Sequence, residues 1–225
     1  QRQLSYHRKL YVAFIDFKKA FDSVVHERLW QVLRKNGVRG KMYNAIVSMY
    51  NIVKAKVRSN GEYTDLFDCP RGVKQGEVLS PTLFSLLINE LAKEITDKGK
   101  HGIQLLPDIM QIFILMFADD IMLMSDTVSG LQNQLNVLQN TATYLGLTVN
   151  LDKSKVVVFR NGGHIGKNEK WMYGGELLDI WNEYKYLGVV FSSKLSFSHT
   201  LKDRAARAKV GIVNLLRTLW CLGEK

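Results

Sequence analysis

The sequence predicts an α+β fold, with an antiparallel sheet on one side and helices packed on the other. Three observations carry that expectation. Short apolar runs of strand length alternate irregularly with longer helical periodicities. Asn60-Gly61 stands between two short strand-like segments, a strong signal for a tight hairpin and hence for antiparallel pairing. In the run Phe113-Ile-Leu-Met-Phe-Ala-Asp-Asp-Ile-Met-Leu-Met124, two adjacent carboxylates interrupt apolar residues. Burying them ionised and unpartnered costs at least several kcal/mol. Either a turn carries them to the sheet rim, or a bound divalent cation compensates them.

The elements follow in order. Residues 10–17 form a short apolar run that reaches Asp16 near its end and reads as a buried strand. Helices are expected over 26–35 and 41–50, separated by Asn36-Gly37 and Gly40. Strands over 54–59 and 63–68 flank the Asn60-Gly61 turn, and a glycine-containing loop spans 71–79. Ser80-Pro81 opens a helix to about Thr96, with serine as N-cap and proline in the first turn. After the hairpin at Asp119-Asp120, Leu131, Leu135, Leu138, Ala142 and Leu145 share one helical face, which Gly146 terminates. A strand over 155–159 follows, then a polar, glycine-rich connection over 161–170 and short strands over 171–173 and 183–191. The last helix, 199–221, is basic and turns Leu201, Ala208, Ile212, Leu215 and Leu219 towards a partner surface.

Composition narrows the function. The chain has 225 residues, 46% of them hydrophobic, enough for one substantial core. Its 31 basic and 21 acidic side chains give a net charge of +10, which favours a polyanionic partner, nucleic acid first. Plain solubility is the competing explanation. Basic residues cluster at Arg2, Arg8 and Lys9 and again at Lys202, Arg204, Arg207 and Lys209. Cys69 and Cys221 form no spaced cluster and suggest reduced thiols in an intracellular setting. The most apolar stretch, 112–118, is too short to span a bilayer, so no membrane partner is expected. The start Gln1-Arg2-Gln3 lacks a signal peptide and a methionine, as a fragment would.

If the strand ending at Asp16 lies beside the Asp119-Asp120 hairpin, three carboxylates converge on one rim of the sheet. Such a cluster repels itself unless cations occupy it, the requirement of two-metal phosphoryl transfer. Asp16 and Asp119 are the first ligands expected; Asp120 is the third, since adjacent residues on a strand point to opposite faces.

The motifs, in order, resemble the reverse transcriptase domain of non-LTR (LINE-type) retrotransposons. Phe14-Ile-Asp-Phe-Lys-Lys-Ala-Phe-Asp22 is similar to that family's first catalytic motif. Arg71-Gly-Val-Lys-Gln-Gly-Glu-Val-Leu-Ser-Pro81 is similar to the second, and Phe117-Ala-Asp-Asp120 to the third. Gly146-Leu-Thr-Val-Asn-Leu-Asp-Lys153 resembles the fourth, and Tyr186-Leu-Gly188 the primer grip. Glu77 departs from the pattern, where a smaller side chain is expected.

The resemblance implies a polymerase palm with a ferredoxin-like core over residues 1–195 and the start of a helical thumb over 196–225. The fingers region that precedes the first motif in the family is missing. It implies an RNA-directed DNA polymerase using an RNA template, a DNA primer, deoxynucleoside triphosphates and two Mg²⁺ ions, for which Mn²⁺ can substitute. Asp16, Asp119 and Asp120 would be catalytic and metal-binding, and Lys153 would protonate the pyrophosphate. Phe17, Phe21, Gln75 and Gly76 would meet the nucleotide, with Phe21 as a steric gate against the 2′-hydroxyl. Core packing is the competing role for Phe21. Asp22 is catalytic or stabilises the following helix N-terminus. Arg71, Tyr186, Leu187, Gly188, Lys202, Arg204 and Arg207 would hold primer and template, partly through phosphates. Action on chromosomal DNA implies access to both nucleus and cytoplasm. The alternative is a truncated, catalytically inactive element copy that at most binds nucleic acid.

Overall fold

The computed structural model describes residues 9–99, 101–106, 110–196 and 198–223. In chain order, β1 (Leu10–Ile15) leads into three helices, α1 (Ala20–Ser23), α2 (His26–Lys35) and α3 (Gly40–Ser48). Short strands β2 (Lys54–Ala55), β3 (Arg58–Ser59), β4 (Glu62–Tyr63) and β5 (Phe67–Asp68) precede the long α4 (Ser80–Lys98). Then come β6 (Ile103–Leu106), β7 (Met110–Ile112), β8 (Ile114–Phe117), β9 (Asp120–Ser125) and α5 (Val128–Leu145). The remainder is β10 (Lys155–Phe159), β11 (Met172–Tyr173), β12 (Glu176–Leu177), β13 (Ile180–Trp181), β14 (Glu183–Tyr186), β15 (Val189–Ser192) and α6 (Ser198–Gly223).

The main sheet has the order β13-β10-β1-β9-β8. β1 pairs antiparallel with β10 on one side and with β9 on the other, and β9 turns back antiparallel onto β8. Only the short β13 is parallel, against β10. The three inner strands are apolar on both faces because both faces are covered. Tyr11, Ala13 and Ile15 with Ile121, Leu123, Val156 and Val158 join the core beneath α4 and α5, where Leu83, Leu87, Leu131, Leu135 and Leu138 pack. Their alternates Val12, Phe14, Met122, Met124, Val157 and Phe159 form a second core with Tyr184, Tyr186 and Phe191 of the β14–β15 hairpin. Phe14 stacks on Tyr184 with ring centroids 4.4 Å apart.

Local chemistry sets several boundaries. The Thr127 hydroxyl accepts from the Gly130 N–H and caps α5. Gly146 ends that helix as expected, with φ 78, and Leu147 N–H donates back to the Ala142 carbonyl. Asn60-Gly61 closes the β3–β4 hairpin, with positive φ at both residues. Glu169 fastens the glycine-rich connection to β1 by accepting from Lys9 Nζ, the Tyr11 hydroxyl and the Gly166 N–H.

Some expectations are corrected. Ser80 is not the N-cap of α4: Leu79 holds that position, and the buried Ser80 hydroxyl donates to the Lys74 carbonyl at 2.6 Å. A closed loop outweighs a local cap here, and α4 continues to Lys98 rather than ending near Thr96. The 183–191 segment is not one strand but the β14–β15 hairpin, turning at Leu187-Gly188. The sequence reading did not anticipate β6, β7, β12 or β13, because strands of two to four residues carry too few positions to show a period. The basic Arg2 and Arg8 lie outside the described residues. In α6, Leu201, Ala208 and Ile212 are exposed, so nothing described in this chain covers them; the side chains of Leu215 and Leu219 lie outside the described set. Thr200 anchors the start of that helix, its hydroxyl accepting from Val190 N–H and donating to the Val190 carbonyl, both at 3.0 Å. Among the described residues no helix is long and apolar enough to cross a membrane.

A Cβ at Gly146 would stand 2.5 Å from Val25 Cγ2, on a backbone that disfavours L side chains. Gly146→Ala should therefore destabilise the fold by about 1–3 kcal/mol, measurable as a lower midpoint in urea at unchanged slope.

Candidate active site at the rim of the central sheet

β1 ends at Ile15, paired with Ile121, so the continuing register sets Asp16 across from Asp120. Pairing of Phe117 with Asp120 leaves a two-residue turn, Ala118-Asp119, at the tip of the β8–β9 hairpin. Ala118 adopts φ 55, a left-handed conformation that costs an alanine on the order of 1–2 kcal/mol. Strain of this kind persists where the surroundings over-determine the backbone.

The Asp16 backbone is fixed from the fourth motif. Its N–H donates to Ser154 Oγ at 3.0 Å, and its carbonyl accepts from Asn150 N–H at 2.8 Å. Asp16 Oδ2 is buried without a hydrogen-bond partner, and Lys153 Nζ stands 3.8 Å from it. Asn150 Oδ1 is a second buried oxygen without a partner. Burial, then the charges of Asp119 and Asp16, push the Asp120 pKa above the ordinary aspartate value. Tyr184 and Tyr186 share this environment: burial first, then the nearby aspartates, raises both phenols. The Tyr186 hydroxyl donates to the Asp120 carbonyl at 3.2 Å, and Tyr184 donates to the Lys153 carbonyl at 3.1 Å. Among the described residues, no group of three or more acidic, histidine or cysteine side chains is arranged to hold a metal ion. The carboxylates therefore share a field without forming a closed ligand set.

The loop after β5 lies along the segment that follows β1. Val73 N–H donates to the Phe21 carbonyl at 2.9 Å, Gly72 N–H donates to the Val24 carbonyl at 2.8 Å, and Arg71 bridges Val25. Gly72 has φ 92, and a Cβ there would stand 3.0 Å from Asp22 Cα and carbonyl oxygen, so only glycine fits. Gln75 Nε2 donates to Asp22 Oδ1 at 2.9 Å. Phe21 is half-buried and stacks on Phe84 at 4.4 Å. Gly76 is exposed with open space around it, and Arg71 is exposed. Glu77, the departure in this motif, accepts from the Tyr50 hydroxyl at 3.4 Å.

The structure thus brings Asp16, Asp119, Asp120, Lys153 and Tyr186 to one rim, and Phe21, Arg71, Gln75 and Gly76 to one stitched loop. It places the Phe17 ring elsewhere. Phe17 is 4% exposed in the helix-side core and bridges Val149, so its ring does not face a nucleotide site. Leu187 and Gly188 form a turn with φ 48 and 78, and Leu187 is exposed. Lys202, Arg204 and Arg207 are exposed on α6, with Arg207 paired to Asp203 at 3.0 Å. Sequence reasoning missed Tyr50, Ser154 and Tyr184, whose contacts to the site cross 27 to 138 residues of chain and leave no local signal.

Residues 2–191 match the family described as Reverse transcriptase (RNA-dependent DNA polymerase). The chain is 30% identical over 194 residues to the Pol polyprotein of type-1 retrotransposable element R2 from Bradysia coprophila, covering 83% of the chain and 22% of that protein. It is 27% identical over 231 residues to the RNA-directed DNA polymerase from mobile element jockey of Drosophila funebris, covering 93% and 24%. The chain therefore spans about a quarter of the length of these curated relatives. Among solved structures, telomerase from Candida albicans in complex with a TWJ fragment of telomeric RNA superposes with TM-score 0.58, covering 87% of the chain and 32% of that one. Identity there is 14%, so the likeness is one of fold.

The raised Asp120 pKa means that the native state holds that proton more tightly than the unfolded chain does. This contribution to stability accordingly falls as pH rises from about 4, the ordinary aspartate value, through the raised one. In metal-free buffer at pH 7, Asp120→Asn should melt above the parent. The gap should close as pH falls through about 4, where the parent carboxyl is protonated too.

Proposed function

The chain belongs to the reverse transcriptase (RNA-dependent DNA polymerase) family, and from that membership we propose that it is the palm and first thumb helix of a non-LTR retrotransposon polymerase. The reaction is nucleotidyl transfer from a deoxynucleoside triphosphate to a primer 3′-hydroxyl on an RNA template. The strand order β10-β1-β9-β8, with α4 between β1 and β8 and α5 between β9 and β10, supports a ferredoxin-like palm. On this reading the palm spans residues 1–195 and the thumb begins at 196. The observation that carries the proposal is Asp120 under the field of Asp119 and Asp16, beside a buried Asp16 oxygen that no hydrogen bond satisfies among the described residues and that has the exposed Lys153 3.8 Å away.

Those oxygens suit a hard divalent cation, Mg²⁺ or Mn²⁺, and Asp16, Asp119 and Asp120 would hold it. Bound there, such ions lower the pKa of an attacking hydroxyl and neutralise charge on transferring phosphates. The protein's own groups supply the rest. Lys153, exposed and 3.8 Å from Asp16, offsets carboxylate charge and can donate a proton to a departing pyrophosphate. Phe21, braced by Phe84, offers a rigid ring where a 2′-hydroxyl would need space. Gln75 and Gly76 bound the nucleotide side, and Tyr186 ties the Leu187-Gly188 turn to the Asp120 backbone as a primer support. Lys202, Arg204 and Arg207 suit phosphate contacts, which position without reading sequence. Work on chromosomal DNA would require access to both nucleus and cytoplasm.

A second reading, nucleic-acid binding without extension, draws on one observation. The acidic groups do not form a ready three-residue metal set among the described residues.

Primer extension on an RNA template with Mg²⁺ separates the two. Deoxynucleotide incorporation that falls at least about a thousandfold in Asp119→Ala supports the polymerase. Salt-sensitive binding of primer–template with no incorporation by the parent chain supports the second reading.

A further inference from the structure

We propose that Asp22 is a positioning residue that orients the Gln75 amide for the nucleotide; the inference rests on the nucleotide-binding role proposed for the Gln75 loop. The loop is already held by backbone chemistry. Two N–H···O bonds join Gly72 and Val73 to Val24 and Phe21, and the Asp22 backbone leaves no room for a Cβ on Gly72. The exposed Asp22 side chain is therefore not needed to dock the loop. Among the described residues, its side chain accepts one hydrogen bond, from Gln75, 53 residues away in sequence.

The chemistry of that bond decides the orientation. An ionised carboxylate accepts and cannot donate, so Asp22 takes the Nε2 end of the amide. Oε1 is then turned away, and among the described residues no group donates to it. Gln75 consequently presents Oε1 as an acceptor to a bound nucleotide, suited to a hydroxyl or amine, while one Nε2 hydrogen stays engaged with Asp22. An amide without Asp22 would sample both orientations and other side-chain rotamers, so only about a fifth of its presentation would be the productive one. Asp22 also follows Phe21 directly, so the bond couples the loop to the backbone that carries the stacked Phe21 ring.

The test is steady-state extension by the chain carrying Asp22→Ala, Asp22→Asn, Gln75→Ala and the Asp22→Ala/Gln75→Ala pair. Asp22→Ala should raise KM for the deoxynucleotide about fivefold, the scale of one hydrogen bond, while kcat falls less than about twofold. Asp22→Asn keeps the link to Gln75 but can meet either end of its amide, so it holds the side chain in place without fixing the orientation and should leave KM about twofold above the parent. Asp22→Ala should add nothing to Gln75→Ala, since both remove the same link. Additive effects, an asparagine variant as impaired as the alanine one, or an unchanged KM would overturn the proposal. If the parent extends no primer, the polymerase reading fails by itself, and the link is read from Gln75 side-chain amide protons by NMR. Their exchange should quicken in Asp22→Ala and less in Asp22→Asn; identical exchange in parent and alanine variant would refute the orientation.

Discussion

An ionised carboxylate loses too much hydration to be buried alone, and this constraint arranges the site around the sheet. The three inner strands are enclosed on both faces, so their interior positions admit only apolar side chains or paired charges. Lys155 shows the second case: it is buried in β10, bonded to Asp179 at 2.7 Å with Trp181 beneath its ammonium group. The rim carboxylates are compensated less: among the described residues Asp16 has the exposed Lys153 at 3.8 Å, and no ion pair reaches Asp119 or Asp120. They lie just past the end of β1 and at the β8–β9 turn, where the sheet meets its edge. The raised Asp120 pKa and the orphaned Asp16 oxygen are what remains of a desolvation cost that the sheet has not removed.

The rest of the architecture supplies rigidity to that rim. Helices α4 and α5 fill one face, and the β14–β15 hairpin closes the other through Phe14, Tyr184 and Tyr186. The same hairpin reaches the rim, because Tyr186 bonds the Asp120 carbonyl and Tyr184 the Lys153 carbonyl. The fourth motif holds Asp16 through Asn150 and Ser154. Residues far apart in sequence thus fix the backbones of Asp16 and Asp120, while the carboxylate oxygens stay available for chemistry. Left-handed Ala118 is the local cost of this arrangement, borne by a hairpin that the sheet on one side and Tyr186 on the other hold in place.

The loop carrying Gln75 follows the same principle by another route. Backbone bonds to Phe21 and Val24 hold it along the chain that follows β1, and Gly72 permits the close approach. Glu77 has a partner in Tyr50, which explains how this chain accommodates an acidic residue in the loop.

The sequence by itself determined the α+β class, the Asn60-Gly61 hairpin, the Gly146 stop and the placement of the paired aspartates in a hairpin turn, whereas the pairing of β1 with β9, which brings Asp16 to them, came from the tertiary structure. Periodicity, turn chemistry and the cost of buried charge are local properties, legible in a single string. The ordered motifs also showed the family. Tertiary structure alone decided that the Phe17 ring packs into the core while Phe21 stays half-exposed, since both are aromatic residues of one motif. It alone tied the Ser80 hydroxyl to Lys74, broke 183–191 into a hairpin, and joined Gln75 to Asp22. Each of these depends on which surfaces meet in three dimensions, and a side chain with two acceptable partners is assigned to one only when the chain has closed.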